Sequence, residues 1–319
     1  MKILANDGLA AVGVTMLEEA GHEVILNKVA QEQLADFINE NDVAALLVRS
    51  ATKARKDLID ACPGLKFIGR GGVGMDNIDV EYAREKGLRV QNTPAASSES
   101  VAELVFAHLF GAVRFLYSAN REMPLEGESN FKGLKKAYAG GRELRGKTLG
   151  VLGFGRIGQA TAKVALGVGM DVVYHDPFLE EASVQLEFAG GKSLDFDFKS
   201  MSKEELLAQS DFITLHMPAQ KDGKYVLGAE EFSKMKAGAG IVNAARGGVV
   251  DEVALLKALD DEHLSFAALD VFENEPTPPV QVLMHPKLSL SPHIGAATEE
   301  AQDRIGSEMA GYLIEFFGS

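Results

Sequence analysis

Two hexapeptides, GRGGVG at residues 69–74 and GFGRIG at residues 153–158, both spell Gly-x-Gly-x-x-Gly. A dinucleotide's pyrophosphate calls for that spacing: glycines permit a tight turn and close backbone approach, and a following helix points its N–H groups at the phosphates. The flanks separate the two loops. GFGRIG lies in KTLGVLGFGRIGQATAKVALGVGMDVVYHD, where a strand runs into the glycines, a helix starts at once near Ile157, and a second strand ends at Asp176, 18 residues beyond Gly158. Gly153 makes the turn, Gly155 admits the pyrophosphate, Gly158 lets helix and strand pack closely, and Arg156 and Ile157 open the helix. Asp176 would accept hydrogen bonds from the ribose hydroxyls and repel a 2′-phosphate, which favours NAD over NADP. In GRGGVG the helix is delayed by MDNID to beyond Asp79, and the next strand ends in Asn92 without an acidic tip. That loop is no second NAD site. Backbone N–H groups at Gly72, Val73 and Gly74, with Arg70 beside them, make either an anion-binding nest or a plain turn, and the loop alone does not separate these readings.

A third cluster lies toward the C-terminus. NAARGGVVDE sets Arg246 after a strand and before two glycines, LDVFENEPTP sets Asp270, Glu273 and Glu275 before a proline-rich loop, and LSPHIGAATEE sets His293 after a strand and a proline. Singly, each has an ordinary reading as a surface arginine, a solvated acidic run or a loop histidine.

The elements that must position these residues form two series. ILAN, EVILN, AALLVRS, FIGR and RVQN alternate with helical stretches near residues 9–20, 31–40, 54–61 and 80–86. KTLGVLGF, DVVYHD, DFITLHM, AGIVNAA, FAALDVF and LSLSPH follow, again with helices between. Both series read as α/β, doubly wound parallel sheets. The boundary falls at NTPAASSESVAEL, where Ser100 and Glu103 form a capping box for a helix to about Tyr117. Glu103, His108 and Arg114 argue for burial of that helix rather than membrane insertion. Residues 118–145 are polar, glycine-rich and weakly periodic, and read as a long loop or arm that could lie at a dimer interface.

Composition sets the limits. The 319 residues are 46% hydrophobic, enough for two domains, and carry a formal net charge of −14 with no basic run that would track nucleic acid or an anionic membrane. An N-terminus without an apolar signal core points to the cytoplasm. Cys62 is the single cysteine and reads as a small structural residue. The seven histidines are scattered without metal-ligand spacing, and no metal is expected.

Together, a nucleotide fingerprint followed in order by arginine, glutamate and histidine resembles the D-isomer-specific 2-hydroxyacid dehydrogenases over nearly the whole chain. The resemblance implies a Rossmann NAD-binding domain at 98–290 inserted in a flavodoxin-like substrate domain formed by 1–97 and 291–319, the last strand and helix returning to the first domain. It implies that His293 takes the hydroxyl proton of the substrate, that Glu275 fixes the imidazole tautomer, and that Arg246 pairs with the substrate carboxylate and C2 oxygen. Asp270 would hold the nicotinamide carboxamide, with Thr214, His216, Ala244 and Ala245 lining the cofactor from strand ends and Gly295 beside it. Formate dehydrogenases of the family carry Gln where Glu275 stands, which disfavours that branch.

LLVRSATK and FIGRGGVGMDNID are similar to the corresponding segments of relatives that oxidise D-3-phosphoglycerate to 3-phosphohydroxypyruvate, the first step of phosphorylated serine biosynthesis. In those relatives Arg49, with Ser50 next to it, and Arg70 would hold an anionic substrate. Each charge-assisted bond to a phosphate contributes about 1.5–3 kcal/mol, roughly tenfold to hundredfold in affinity. A homodimer is expected from the family habit. A chain ending at residue 319 leaves no room for the C-terminal regulatory domain many such relatives carry, so serine feedback through it is not expected. Two alternatives stand: a hydroxypyruvate or glyoxylate reductase, and an NAD-sensing corepressor scaffold of the same fold that binds peptides.

Overall fold

A computed structural model describes residues 1–220 and 222–318. The chain divides into two compact units, Met1–Ser100 with the segment from Ala296 onward, and Val101–Gly295. Each is built by short aliphatic strands that cannot stay in water and are covered on both faces by crossover helices.

The first unit runs β1 (Lys2–Ala5), α1 (Ala11–Glu19), β2 (Glu23–Ile25), α2 (Leu34–Glu40), β3 (Val43–Val48), α3 (Lys56–Ala61), β4 (Phe67–Arg70), α4 (Val80–Glu85) and β5 (Arg89–Asn92). Its five parallel strands lie in the order β2-β1-β3-β4-β5, the flavodoxin-like arrangement. The central strand β3, VAALLV, is buried at every position. Cys62 is buried, and burial pushes its thiol up to about 11, so it is inert at neutral pH.

Helix α5 (Ser98–Val113) begins two residues before Ser100, so Ser100 and Glu103 are its third and sixth residues and not the capping box expected at its start. Its apolar residues Val105, Phe106, Leu109 and Val113 enter the core of the second unit. Among the described residues no single helix is long and apolar enough to cross a membrane. Phe115, in the left-handed region at φ 54°, breaks the helix, and the segment expected to be a loop is mostly a second one, α6 (Leu116–Ala137), distorted at Asn130. Only Leu134 of α6 is buried; its large apolar residues Leu116, Met123, Leu125 and Phe131 are exposed.

The second unit continues with β6 (Thr148–Leu152), α7 (Arg156–Val168), β7 (Asp171–His175), β8 (Glu181–Phe188), β9 (Lys192–Lys199), α8 (Lys203–Gln209), β10 (Phe212–Leu215), α9 (Ala229–Lys234), β11 (Ala239–Asn243), α10 (Glu252–Asp260), β12 (Leu264–Leu269), α11 (Val280–Leu283) and β13 (Leu288–Leu290). Six strands pair in parallel in the order β13-β12-β11-β10-β6-β7. The chain reverses direction of travel between β6 and β10, the point at which ligands bind such sheets. β8 and β9 form a separate antiparallel hairpin where helical connections were expected; Ala182, Val184 and Leu186 oppose Phe198, Phe196 and Leu194 across a Gly190–Gly191 turn.

The chain then returns to the first unit as α12 (Glu299–Phe317) alone. No strand accompanies it, because β13 completes the second sheet. The unit boundaries therefore fall at 100/101 and 295/296, a few residues later than expected, and His293 stays in the second unit. α12 crosses α1 at paired glycines: a Cβ on Gly13 would lie 2.6 Å from the Gly306 carbonyl oxygen.

Candidate active site

In the second unit, β6 delivers the chain to Gly153 at φ 87°, where a Cβ would come 2.6 Å from the His216 carbonyl oxygen. A Cβ on Gly158 would collide with the Gly153 carbonyl, whereas one on Gly155 meets nothing within 4 Å. Two of the three glycines are thus required by packing, and the third leaves open space at the N-terminus of the 13-residue helix α7. That cradle fits a dinucleotide phosphate. α7 begins at Arg156, with Ile157 in its first turn.

Asp176 already organises the loop: its Oδ2 accepts from Phe154 N at 2.8 Å and its Oδ1 from Phe178 N at 2.9 Å. Each carboxylate oxygen keeps a second lone pair for a ribose hydroxyl. Thr214, expected along the cofactor, closes the end of β10. It is fully buried, and its Oγ1 lies 3.0 Å from His216 Nε2, with Thr161 Oγ1 of α7 3.2 Å from the same nitrogen. The pair ties the end of β10 to α7, and burial drives the His216 imidazole down to about 3, so it is neutral.

Arg246 follows β11 on a turn locked by Asn243, whose Nδ2 donates to the Arg246 carbonyl at 3.0 Å and whose Oδ1 accepts from Ala245 N at 3.1 Å. Ala244 and Ala245 are half-buried at that strand end. A Cβ on Gly247 would collide with the Phe272 carbonyl, so this turn packs backbone on backbone against the loop bearing Glu275. Glu275 Oε1 accepts from Phe272 N at 2.9 Å and Oε2 from His293 Nδ1 at 2.8 Å. With its proton on Nδ1, His293 presents the lone pair of Nε2 as a base. His293 itself sits at φ 56°, an uncommon conformation for a side chain of its size. A cavity of about 390 Å³, walled by Phe272, Pro276, Leu283, Leu290 and Pro292, opens beside the pair.

Asp270 receives more than the sequence suggested. Its Oδ1 accepts from Ser291 Oγ and Ile294 N, and its Oδ2 from Gly295 N, at 2.6, 2.8 and 2.9 Å. Glu252 was not singled out from sequence. It and Glu273 each accept the other's backbone N–H, at 2.8 and 3.1 Å, and clamp the glutamate loop to the start of α10. Burial raises the Glu252 carboxyl, and the charges of Glu273 and Glu275 raise it further.

In the first unit Arg49 follows β3. Its N–H donates to Asp7 Oδ2 at 2.7 Å, and Asp7 also accepts from Thr52 N and Oγ1. Asn77 donates to the carbonyls of Arg49 and Thr52. Asp7 and Asn77, neither picked out from sequence, therefore set the Arg49–Thr52 loop, in which Ser50 is exposed. Arg49 lines a cavity of about 450 Å³ with Ala10 and Ala11 at the start of α1 and with Ala297, Thr298, Glu299, Gln302 and Asp303 around the start of α12. Arg70 turns back on its own loop, Nη1 donating to the Gly71 carbonyl at 2.5 Å. Gly72, at φ 136°, donates its N–H to Thr93 Oγ1 at 2.8 Å, so at this position the turn reading, and not the nest, describes the amide. For Val73 and Gly74 no amide hydrogen bond appears among the described residues.

Among the described residues no group of histidine, cysteine and carboxylate side chains could hold a metal. In keeping with the doubly wound fold and the glycine loop, residues 106–295 match the family "D-isomer specific 2-hydroxyacid dehydrogenase, NAD binding domain". The chain belongs to that family. It is 42% identical over 310 residues to the D-3-phosphoglycerate dehydrogenase of Methanocaldococcus jannaschii, covering 97% of this chain and 56% of that one. It is also 42% identical over 301 residues to the hydroxypyruvate reductase of Thermotoga maritima, covering 93% and 91%. The NAD-bound 3-phosphoglycerate dehydrogenase of Entamoeba histolytica superposes with a TM-score of 0.77 at 30% identity, over 99% of this chain and 95% of that one. The chain thus spans little more than half the length of the first of these relatives.

Proposed function

We propose that the protein oxidises D-3-phosphoglycerate to 3-phosphohydroxypyruvate with NAD. The observation that carries the reaction class is the 2.8 Å bond from His293 Nδ1 to Glu275 Oε2, in the same unit as the open cradle at Gly155. NAD, when bound, supplies the acceptor for the hydride that leaves C2. His293 Nε2 takes the C2 hydroxyl proton, and Glu275 stabilises the imidazolium that results. Arg246 pairs with the substrate carboxylate and fixes which face of C2 is offered. Asp270, with lone pairs remaining, accepts from the nicotinamide carboxamide, and Arg156, Ile157, Ala244, Ala245 and Gly295 bound the cofactor.

Support for a phosphorylated substrate comes from the first unit. Arg49 opens onto a cavity between two helix N-termini, whose partial positive charge favours an anion, although Glu299 and Asp303 also line it. Arg70, Ser50, Val73 and Gly74 complete the set assigned to substrate. The proposal includes a cytoplasmic homodimer, supported by the exposed Phe115, Leu116, Met123, Leu125 and Phe131 around α6; sedimentation should give twice the 34.2 kDa chain mass.

A second reading, hydroxypyruvate reductase, is favoured by the Thermotoga relative, nearly all of whose length this chain covers. An NADH-formation assay with NAD or NADP and 3-phosphoglycerate, D-glycerate or D-lactate, under product trapping, separates them. Turnover confined to NAD and 3-phosphoglycerate is expected. Turnover only of unphosphorylated acids would overturn the phosphate assignment in favour of the second reading.

A further inference from the structure

One buried titratable side chain of the second unit has no place in that chemistry. His108, on α5, is buried between two hydroxyls: Nδ1 lies 2.8 Å from Ser289 Oγ and Nε2 lies 2.9 Å from Ser291 Oγ. Burial lowers its pKa, so it is a neutral ring with one N–H.

The proton order follows from the donors at the far end. Asp270 accepts backbone N–H bonds from Ile294 and Gly295, and the Ser291 hydroxyl gives its proton to Asp270 Oδ1 at 2.6 Å. Ser291 Oγ can then only accept from His108, which places the ring proton on Nε2. Nδ1 in turn accepts from Ser289. Asp270, Ser291, His108 and Ser289 thus form one file of aligned bonds running from the carboxylate to α5.

The file ends under the loop that carries the proposed base. Ser291, Ile294 and Gly295 flank His293, whose backbone is held at φ 56°. Such a conformation persists only where the surroundings over-determine it, and the three bonds to Asp270 do so. A Cβ on Gly295 would stand 3.2 Å from Asp270 Oδ2 and from Val101 of α5, so the loop has little room to rotate as a body.

We propose that His108 is a positioning residue for hydride transfer: through Ser291 and Asp270 it holds the Pro292–Gly295 loop in the conformation that keeps His293 bonded to Glu275. Leucine at 108 would fill the space and leave the buried Ser291 hydroxyl and the half-buried Ser289 hydroxyl without their nitrogen partner. Ser291 could then turn away from Asp270, and His293 would lose its register with Glu275. Glutamine offers both a donor and an acceptor and should restore the file in part. The inference rests on the dehydrogenase class and not on the identity of the hydroxy acid.

The experiment compares His108→Leu, His108→Gln, Ser291→Ala and the double variant His108→Leu/Ser291→Ala, with NADH and hydroxypyruvate or phosphohydroxypyruvate, whichever the wild type reduces. His108→Leu should lower kcat roughly 10- to 100-fold, as a misplaced base does, while the KM for the oxo acid changes by less than about threefold, as expected where uniform binding is kept. His108→Gln should recover most of the loss. The double variant should be no slower than Ser291→Ala, because both changes cut the same file. Amide hydrogen exchange on the same four proteins reads the loop without turnover: residues 293–296 should exchange faster in His108→Leu and Ser291→Ala than in wild type. A kcat within twofold of wild type for His108→Leu, losses that multiply in the double variant, or unchanged loop exchange would overturn the proposal. Should His108→Leu fail to fold, His108→Gln and Ser291→Ala carry the exchange test. Should no oxo acid be reduced by the wild type, that failure belongs to the activity, and exchange still decides the role of His108.

Discussion

GFGRIG and GRGGVG share a spacing and almost nothing else. In the first, Gly153 and Gly158 are dictated by backbone contacts of the loop itself, Gly155 faces open space, and α7 starts at the next residue. In the second, Gly69 lies inside β4, where a Cβ would press on Leu47 and on Met309 of α12, and Gly72 is tied to Thr93. Five residues, 75 to 79, separate that motif from Val80, the start of α4. The same spacing therefore leaves open space before a helix in one unit, at Gly155, and in the other permits sheet–helix packing at Gly69 and Gly71.

The largest test of the contrast asks on which side the chemistry lies. His293→Ala should lower kcat about 10²- to 10⁴-fold, the usual weight of a general base, while NADH titrated by fluorescence binds within about threefold of wild type. A variant with near-normal turnover would move the base elsewhere.

Placing the same side chain at the second glycine of each motif sharpens it further. Gly155→Val should weaken NADH binding roughly 100-fold, near 3 kcal/mol, with little change in Tm, because its side chain enters the open cradle. At Gly71 a Cβ already stands 3.2 Å from Ile305 Cγ2. Gly71→Val should therefore lower Tm and leave NADH affinity unchanged once folded. If both variants lose NADH equally, the two loops are not different in kind.

A third comparison concerns the anion. Arg49→Ala or Arg70→Ala should reduce kcat/KM for 3-phosphoglycerate about 10- to 100-fold more than for D-glycerate, the worth of one charge-assisted bond. Equal losses on the two acids would assign these arginines to the fold or to the carboxylate.

The smallest effect is a pH dependence to which His216, whose carbonyl lies against Gly153, contributes alongside the buried His108. His216 titrates at about 3 in the folded protein against 6.5 when unfolded. Above pH 6.5 both states are neutral; as the pH falls, only the unfolded chain takes the proton, and stability drains away down to about pH 3. Between pH 6.5 and 5 the loss is about 2 kcal/mol. His216→Asn should flatten that limb of the denaturation profile, and an unchanged slope would mean that another group sets it.

Much of this was legible because local chemistry and global fold agree. The alternation of aliphatic runs with helical stretches marks both sheets. Asp176 directly follows β7, Arg246 and His293 come three residues after β11 and β13, and Glu275 six residues after β12. The β8–β9 hairpin was also legible in principle: Ala182, Val184, Leu186 and Phe188 alternate with polar residues, as do Leu194, Phe196 and Phe198. An expectation of alternating strand and helix obscured that period. α6 was obscured by its polar, glycine-bearing composition, and it buries only Leu134.

What the sequence determined by itself was the two series of parallel strands and the side chains that are candidates for the chemistry, because hydrophobic period, glycine spacing and side-chain chemistry act over short stretches of chain. Tertiary structure alone decided the pairings across long separations: Asp7 on the Arg49 loop, Glu252 with Glu273, and His108 beneath Ser291. Each joins residues 21 to 183 positions apart. A buried polar group must find a partner, but which one it finds depends on how helices and strands pack, and no local pattern records that.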